Sequence, residues 1–321
     1  MTVSVPSMPR TAQVADAFDA LAEVDSTNAE LRRRCLDDDP FVRRLMAEAW
    51  KGNPQGEGNG HMGAQGVPMG VLAAQTQTGG HGRLGRAWAD EPGESFVASF
   101  LAVLPRNVVF GPDAGWLTLA AGAAAVDALR GVLGDVFARP LRDGVRLAVK
   151  WPNDVFVVGP AAGRKLGGIL IESAELPETG AERNACVALI VGIGMNLGIA
   201  ADRLPTNQAT SLQLDFGPLP AFDELRDRIG AALVRTLRAR FGALADGTDV
   251  HGGSAVRTLR DRMTRDCWTL GRPVEVRLVD GSMLRGEAES IGPDASLVVR
   301  DAAGERHVVH TGDVGVLAAG R

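Results

Sequence analysis

The stretch TGGHGRLGRAW, Thr78 to Trp88, decides which kind of fold this sequence can adopt. Three of its four glycines, Gly80, Gly82 and Gly85, have the spacing G-x-G-x-x-G of a dinucleotide-binding loop, and an apolar run precedes them. In a dinucleotide fold the third glycine opens a helix. Here the segment RAWADEPGES follows, in which Pro92 and Gly93 disfavour a helix. We therefore predict a different fold.

The same loop has the features of a phosphate-binding site. Arg83 and Arg86 lie among the glycines, and glycine allows backbone N–H groups to approach an anion closely. A solvent-exposed turn whose arginines face water is the alternative interpretation of this stretch taken alone. The hypothesis of a nicotinamide-dependent oxidoreductase rests on the glycine spacing alone. The absence of a predicted helix after the third glycine argues against it.

The composition is that of an ordinary globular chain. The 321 residues are 45% hydrophobic and 23% charged, and this length suggests about two domains. The net charge of −5, from 34 basic and 39 acidic residues, gives no electrostatic argument for a nucleic-acid or membrane partner. Cys35, Cys186 and Cys267 contain no C-x-x-C pair, which argues against a disulfide framework and a zinc site. We recognise no signal peptide and no apolar run of membrane-spanning length, so we expect a cytoplasmic protein.

Alternating helical and strand patterns predict an α+β fold. Thr27 and Glu30 have the spacing of a capping box at the start of the helical segment TNAELRRRCL. Sixteen residues at 51–66, six of them glycine, indicate a flexible insertion. Apolar patterns predict strands at 69–74, 96–104, 145–149, 155–158, 168–171 and 186–193, and helices at 116–133 and 222–241.

The pattern of predicted secondary structure changes near Leu270. Five short β-like runs follow, separated by Asp-Gly, Gly-Pro, Ala-Gly and Thr-Gly-Asp turns. About fifty residues of this kind are typical of a small β-barrel. We predict a domain boundary between residues 1–268 and residues 269–321.

Four further motifs carry polar groups at the ends of predicted elements: DSTN at 25–28, KWPND at 150–154, RKLGGILIE at 164–172 and VGIGMNL at 191–197. Each has an ordinary structural interpretation: an N-cap, an Asn-Asp turn, a surface lysine and a glycine-rich strand end. Lysine next to a glycine pair at a buried strand can also act as a compact positive charge.

Taken together and in this order, these motifs and the QTGGHGRLGRAW loop resemble the biotin–protein ligases, the biotin–[acetyl-CoA-carboxylase] ligase family. The resemblance covers residues 23–317, and KWPND with RKLGGILIE is its most specific part. It implies a mixed β-sheet flanked by helices, similar to class II aminoacyl-tRNA synthetases, with a C-terminal SH3-like β-barrel. It also implies that biotin and ATP, with Mg²⁺, form biotinyl-5′-AMP, and that biotin then passes to a lysine of a biotin carboxyl carrier domain.

The resemblance implies roles for individual residues. Lys165, Arg83 and Asp154 would be catalytic, and Asp154 would help the acceptor lysine, either as a base or by orienting it. The implied biotin-binding residues are Ser26, Thr27, Asn28, Gln77, His81, Gly82, Arg83, Lys165, Gly168 and Gly192. The implied ATP-binding residues are Arg83, Arg86, Trp88, Lys150, Asn153, Lys165 and Asn196. No protein ligand for a metal ion is identified.

One position departs from the family pattern, because His81 stands where the family's GRGR motif has an arginine. Imidazole is shorter than guanidinium and only partly charged near neutral pH. We expect a weaker hold on the adenylate and a dependence on pH between about 6 and 7.5. Because only 25 residues precede Ser26, we expect no N-terminal DNA-binding domain and no repressor function.

Two rival functions stay open at this stage. A lipoate–protein ligase uses a similar adenylation, but its substrate lacks a ureido ring. The polar groups of DSTN and Gln77 would then have fewer polar atoms of the substrate to bind. A non-catalytic biotin or nucleotide sensor is favoured only by His81, whereas both lysines and both loop arginines oppose it. The carrier's identity and assembly into a homodimer are left open by the sequence.

Overall fold

A computed structural model describes residues 4–50, 66–137, 144–160, 162–177, 186–246 and 253–317. The predicted insertion at 51–66 lies outside them except for Gly66. The larger sheet contains β1 (Ala17–Val24), β2 (Met69–Gln77), β3 (Ser95–Pro105), β4 (Arg146–Lys150), β5 (Asp154–Val158), β6 (Gly163–Ala174) and β7 (Cys186–Asn196). The helices are α1 (Pro9–Val14), α2 (Thr27–Leu36), α3 (Pro40–Trp50), α4 (Arg106–Val109), α5 (Trp116–Phe137), α6 (Leu212–Phe216), α7 (Phe222–Asp246) and α8 (Ser254–Asp266).

The larger sheet is mixed, as the resemblance implies. Its strand order is β1-β2-β3-β7-β6-β5-β4. Only β1 and β2 pair in parallel, and every other neighbouring pair is antiparallel. The glycine loop joins β2 to its antiparallel neighbour β3, with a single 3₁₀ turn at Arg83–Gly85 and no following helix. The exclusion of a dinucleotide fold is therefore confirmed.

Helices cover both faces of this sheet, which is why its central strands read as continuous apolar runs. Val71 and Ala73 of β2 pack in the core on the side of α5 and α7. Leu72, between them, packs in a second core with Leu31 of α2 and Leu45 of α3. This alternation follows from the opposite directions of successive side chains in a strand.

The two long helices match their predictions. The apolar stripe of α7 is buried at Leu225, Ile229, Leu233, Leu237 and Phe241. The helix α5 is long and apolar enough to cross a membrane, but 72% of its most apolar window is buried inside the fold. That burial is typical of the core helix of a globular fold. The expectation that no apolar run reaches membrane-spanning length was therefore wrong for this segment.

The C-terminal residues form a separate antiparallel sheet, as predicted for a small β domain. Its strands are β8 (Pro273–Arg277), β9 (Met283–Ile291), β10 (Leu297–Arg300), β11 (Arg306–Val309) and β12 (Asp313–Val316), in the order β11-β10-β9-β8-β12. The turn between β9 and β10 is tied to the larger domain by two indoles. Trp116 Nε1 donates to the Pro293 carbonyl at 2.7 Å, and Trp151 Nε1 donates to the Ala295 carbonyl at 2.9 Å.

Candidate functional site

A cavity lies near the ends of β2 and β7 and the first half of β6, between the glycine loop, the start of α2 and the C-terminal sheet. It brings together most of the residues that the sequence singles out. Among the lining residues are Ser26, Thr27, Asn28, Gln77, His81, Gly82, Arg83, Arg86, Trp88, Lys150, Asn153, Asp154, Lys165, Gly168 and Gly192. Motifs more than a hundred residues apart in the chain therefore share one site.

The start of α2 presents three polar side chains to this cavity. The N-cap is Ser26, in extended conformation, and its hydroxyl accepts from the Ala29 N–H at 3.5 Å. The predicted capping box at Thr27 was therefore wrong by one position: Glu30 pairs with Arg33 and Arg34 instead of a backbone N–H. This shift places Thr27 and Asn28 in the first turn, where both are buried.

Ser26, Thr27, Asn28 and Gln77 form a polar wall of the cavity, and hydrogen bonds hold these side chains in place. Gln77 Oε1 accepts from Thr27 N at 2.8 Å and from Thr27 Oγ1 at 3.1 Å. Ser99 on β3, which the sequence analysis missed, is fully buried, and its hydroxyl lies 2.6 Å from Asn28 Oδ1 and 2.7 Å from Thr27 Oγ1. Gln77 Nε2 has no hydrogen-bond partner within the described part of the chain. It is thus a free donor for a ligand.

The glycine loop forms a narrow hairpin. The Gly80 carbonyl accepts from Trp88 N at 2.9 Å, and the Arg86 carbonyl accepts from Gly82 N at 2.7 Å. The turn contains two consecutive left-handed residues, Leu84 with φ 56° and Gly85 with φ 70°. Glycine adopts this conformation without strain, whereas leucine does so at a cost. The hairpin holds its two arginine side chains toward the cavity.

Arg83 links the two sheets. It donates to Asn153 Oδ1 at 3.3 Å and to Thr311 Oγ1 of the C-terminal sheet at 2.9 Å. Burial lowers the pKa of Arg83, with Asp154 acting in the opposite direction. The guanidinium nevertheless stays charged in the pH range of proteins. Arg86 forms an ion pair with Asp313.

Trp88 closes the side of the cavity above β7. A Cβ atom at Gly194 would lie 2.4 Å from its indole ring, so only glycine lets the ring lie there. The indole Nε1 is buried and has no acceptor among the described residues. An unpaired buried donor is unfavourable unless a ligand supplies the acceptor.

Asp154 lies between two lysines. Its carboxylate is 2.7 Å from Lys165 Nζ and 3.5 Å from Lys150 Nζ. Burial lowers the pKa of Lys150, and the charge of Asp154 opposes that shift. The chain contains only three lysines, Lys51, Lys150 and Lys165, so two of the three line this cavity.

The charge of the cavity is positive. Its lining holds four cationic groups (two lysines and two arginines) and, among the described residues, two carboxylates, Asp154 and Asp313. The excess of two positive charges, not counting His81, suits a polyanionic ligand. A fixed, partly buried cluster of this kind stabilises negative charge more than mobile ions in water do.

The glycines differ in how strictly the contacts require them. A Cβ at Gly192 would lie 2.5 Å from Asn28 Oδ1, so this position needs glycine for Asn28 to stay in place. A Cβ at Gly168 would lie 3.5 Å from Lys165 Nζ, an ordinary contact. Any need for glycine at 168 therefore comes from a ligand.

Asn196 is the one predicted ligand-binding residue that the structure keeps apart from the cavity. Its side chain is buried and donates to the Thr210 carbonyl at 2.9 Å. Within the described chain it is not among the lining residues. This hydrogen bond joins the end of β7 to the loop that contains Thr210, so the role that the contact indicates for Asn196 is structural.

Comparison with known proteins gives consistent results. The model of the biotin/lipoate A/B protein ligase family matches residues 63–196. A biotin–[acetyl-CoA-carboxylase] ligase of Mycobacterium tuberculosis is 34% identical over 245 residues, which cover 76% of this chain and 77% of that protein. A protein of the same name from Paracoccus denitrificans is 28% identical over 299 residues, which cover 92% and 98%. The solved structure of a biotin protein ligase from Aquifex aeolicus in complex with biotin and ATP is 20% identical, with a TM-score of 0.57, covering 94% of this chain and 99% of that one. That structural likeness concerns the fold.

Proposed function

This chain belongs to the biotin/lipoate A/B protein ligase family, and we propose that it is a biotin–protein ligase. It joins biotin and ATP into biotinyl-5′-AMP and then transfers biotin to one lysine of a biotin carboxyl carrier domain. The observation that carries this proposal is the single cavity in which the lysine pair and the loop arginines face the polar start of α2. One side suits a polyanion, and the other suits a neutral ring with N–H and C=O groups.

Biotin's ureido ring fits the polar wall. The ring is neutral and needs matched donors and acceptors once it is buried. Gln77 Nε2 supplies a donor and the Ser26 hydroxyl can also donate, whereas Thr27 Oγ1, whose proton is already used toward Gln77, can only accept. Val97 and Ile169, which also line the cavity, offer apolar contact to the remainder of the molecule.

Adenylation requires two anions to meet. A carboxylate oxygen of biotin attacks the α-phosphorus of ATP, the bond from that phosphorus to the bridging oxygen breaks, and pyrophosphate leaves with the electron pair. Lys165 bridges the biotin carboxylate and the α-phosphate, where a fixed ammonium offsets their repulsion. Lys150 and Arg83 bind phosphate oxygens, and Asn153 holds Arg83 in place through Oδ1.

The purine ring is assigned to Trp88. The indole offers a flat apolar face for stacking and a buried Nε1 donor without a protein acceptor. Arg86, on the same hairpin, binds nucleotide oxygens when it leaves or shares its ion pair with Asp313.

Mg²⁺ is expected to arrive with the nucleotide. Mg²⁺ prefers oxygen ligands and is commonly bound through substrate phosphates. Both carboxylates that line the described cavity already pair with cations, Asp154 with the two lysines and Asp313 with Arg86. The described lining of the cavity therefore offers no unpaired carboxylate for the ion.

In the transfer step, the acceptor lysine must lose a proton, which passes to water, before its amine attacks the acyl carbon of the adenylate. The new N–C bond forms, the bond to the AMP oxygen breaks, and AMP leaves with the electron pair. Asp154 Oδ1 is occupied by Lys165 at 2.7 Å. We therefore favour an orienting role for Asp154 over that of the proton acceptor.

The partner is a biotin carboxyl carrier domain in the cytoplasm, where ATP is available and the three free cysteines stay reduced. The carrier domain must approach the open side of the cavity, because its lysine has to reach the adenylate. A role in binding nucleic acid is not expected from a chain of net charge −5.

The function is tested by incubating the protein with ATP, Mg²⁺, biotin and a biotin carrier domain and measuring the carrier's mass. We expect the mass of one biotinyl group to be added. A parallel reaction with lipoate and a lipoyl carrier domain tests the rival. Lipoylation at a comparable rate, or no modification of either carrier, contradicts the proposal.

His81 provides a prediction about the binding of the adenylate. The side chain is exposed, with Nδ1 3.3 Å from the Gly79 carbonyl. An arginine at this position would reach further and could bind a phosphate through two N–H groups, which a single imidazole nitrogen cannot do. We expect His81→Arg to slow the dissociation of the adenylate about fivefold. An unchanged dissociation rate in His81→Arg contradicts the assignment.

Thr311 provides a prediction about the C-terminal sheet. Thr311→Val keeps the shape of the side chain but removes the acceptor for Arg83. We expect the KM for ATP to rise about fivefold, as for one exposed hydrogen bond of about 1 kcal/mol, with little change in the KM for biotin. Thr311→Ser, which retains the hydroxyl, is the control and should stay near wild type. An unchanged KM for ATP in Thr311→Val would show that the C-terminal sheet does not support Arg83.

A further inference from the structure

Glu172 lies on β6 behind the polar wall, outside the lining of the cavity. Its Oε2 accepts from Asn28 Nδ2 at 2.7 Å, and its Oε1 accepts from Arg32 Nη1 at 3.0 Å. The side chain is 22% exposed, whereas Arg32 is 47% exposed. A surface ion pair is thus connected to a buried side chain of the ligand-binding wall.

The partners of Asn28 allow only one orientation of its amide. The Glu172 carboxylate and the Leu170 carbonyl, 3.3 Å from Nδ2, can only accept hydrogen bonds. Both must therefore face the NH₂ group of Asn28. The amide oxygen then faces the Ser99 hydroxyl at 2.6 Å, which donates to it.

This orientation determines what Asn28 can offer to a ligand. Both protons of Nδ2 are used, and Oδ1 has two lone pairs, of which Ser99 occupies one. Asn28 lines the cavity, so its remaining capacity is that of an acceptor. We propose that Glu172 is a positioning residue that holds the Asn28 oxygen toward the site, where it receives an N–H of the ureido ring.

Gly192 supports the same arrangement from the opposite side. Any Cβ at this position would lie within 2.5 Å of Asn28 Oδ1 and 3.2 Å of Nδ2. The amide is therefore held between the β7 backbone and Glu172. The inference deepens the proposed function, because lipoate has no N–H and would leave this acceptor without a partner, whereas biotin satisfies it.

Glu172→Gln is the informative substitution, because glutamine has one acceptor oxygen where glutamate has two. In this variant Arg32 and Asn28, both donors, compete for that oxygen. When Arg32 takes it, the new NH₂ group faces Asn28 and forces its amide to turn. We expect the Kd for biotin to rise about tenfold, as for a lost buried hydrogen bond, with the KM for ATP and the melting temperature close to wild type.

The double variant separates this mechanism from a general loss of structure. Adding Arg32→Ala to Glu172→Gln removes the competing donor, so the glutamine oxygen can face Asn28 again. Biotin affinity should return to within about threefold of wild type. Arg32→Ala alone is the matched control and should bind biotin nearly as tightly as wild type, because the exposed ion pair contributes little.

Two results overturn the inference. One is wild-type biotin affinity in Glu172→Gln, and the other is a double variant that binds biotin as weakly as Glu172→Gln alone. The binding is measured by calorimetry with biotin as the titrant, without ATP or carrier. Failure of the proposed function would instead appear as a wild-type protein that binds biotin but does not modify the carrier.

Discussion

Lys165→Ala is expected to slow formation of the adenylate about a thousandfold, because removing one group that stabilises transition-state charge typically costs a factor of about 10² to 10³. Among the described residues of the cavity Lys165 has no equivalent, since Lys150 is the more buried lysine and faces the other carboxylate oxygen of Asp154. The rate is measured by single-turnover formation of biotinyl-5′-AMP.

Two further variants sharpen this prediction. Lys165→Arg keeps the charge but replaces a compact ammonium with a planar fork, and we expect it to recover only part of the rate. Arg164→Ala is the matched control on the neighbouring residue, which pairs with Asp215 away from the cavity. Adenylation by Lys165→Ala within about tenfold of wild type would contradict the role of Lys165 as the bridge between the two anions.

Asp154→Asn has the second-largest expected effect, a reduction of about a hundredfold in the transfer of biotin from the adenylate to the carrier, as for the misplacement of a positioning group. The substitution removes the charge that holds Lys150 and Lys165 at 3.5 and 2.7 Å from one carboxylate. The two ammonium groups then repel each other without a counter-ion. Adenylation should slow as well, because Lys165 loses its anchor.

The two half-reactions are separated by supplying purified biotinyl-5′-AMP and following one turnover of transfer. Asp313→Asn is the control for charge, because Asp313 also lines the cavity but pairs with Arg86. We expect it to change the KM for ATP and leave transfer near wild type. Transfer at the wild-type rate in Asp154→Asn would remove Asp154 from the second half-reaction.

Local sequence patterns were sufficient for much of the fold. The strands β2 to β7, the helix α7 and the five C-terminal strands have apolar spacings or turn residues that are visible within a few positions. The strand β1 was not anticipated, because AFDALAEV is rich in residues that also suit a helix. Its parallel pairing with β2 decides its structure, and no local pattern encodes that pairing.

Most of the residues that line the cavity could be singled out from the sequence because they lie in compact motifs. Ser99, Thr311 and Asp313 were missed, since each stands in an ordinary strand or turn and gains its place only through contacts across the fold. Glu172 ends the RKLGGILIE motif, but its contact with Asn28 is visible only in the fold. The Thr-Gly-Asp turn at 311–313 read as a hairpin signal, although it brings the C-terminal sheet against both loop arginines. Asn196 was predicted to bind the ligand because it belongs to the VGIGMNL motif. Its side chain instead donates to the Thr210 carbonyl, outside the described lining of the cavity.

The central claim is that the cationic cluster allows the carboxylate of biotin to react with the α-phosphate of ATP. Exchange of labelled pyrophosphate into ATP measures this reaction directly, without a carrier. We predict exchange by the wild-type protein that requires biotin and is nearly abolished in Lys165→Ala. Exchange that proceeds without biotin, or that survives the loss of Lys165, would contradict the account.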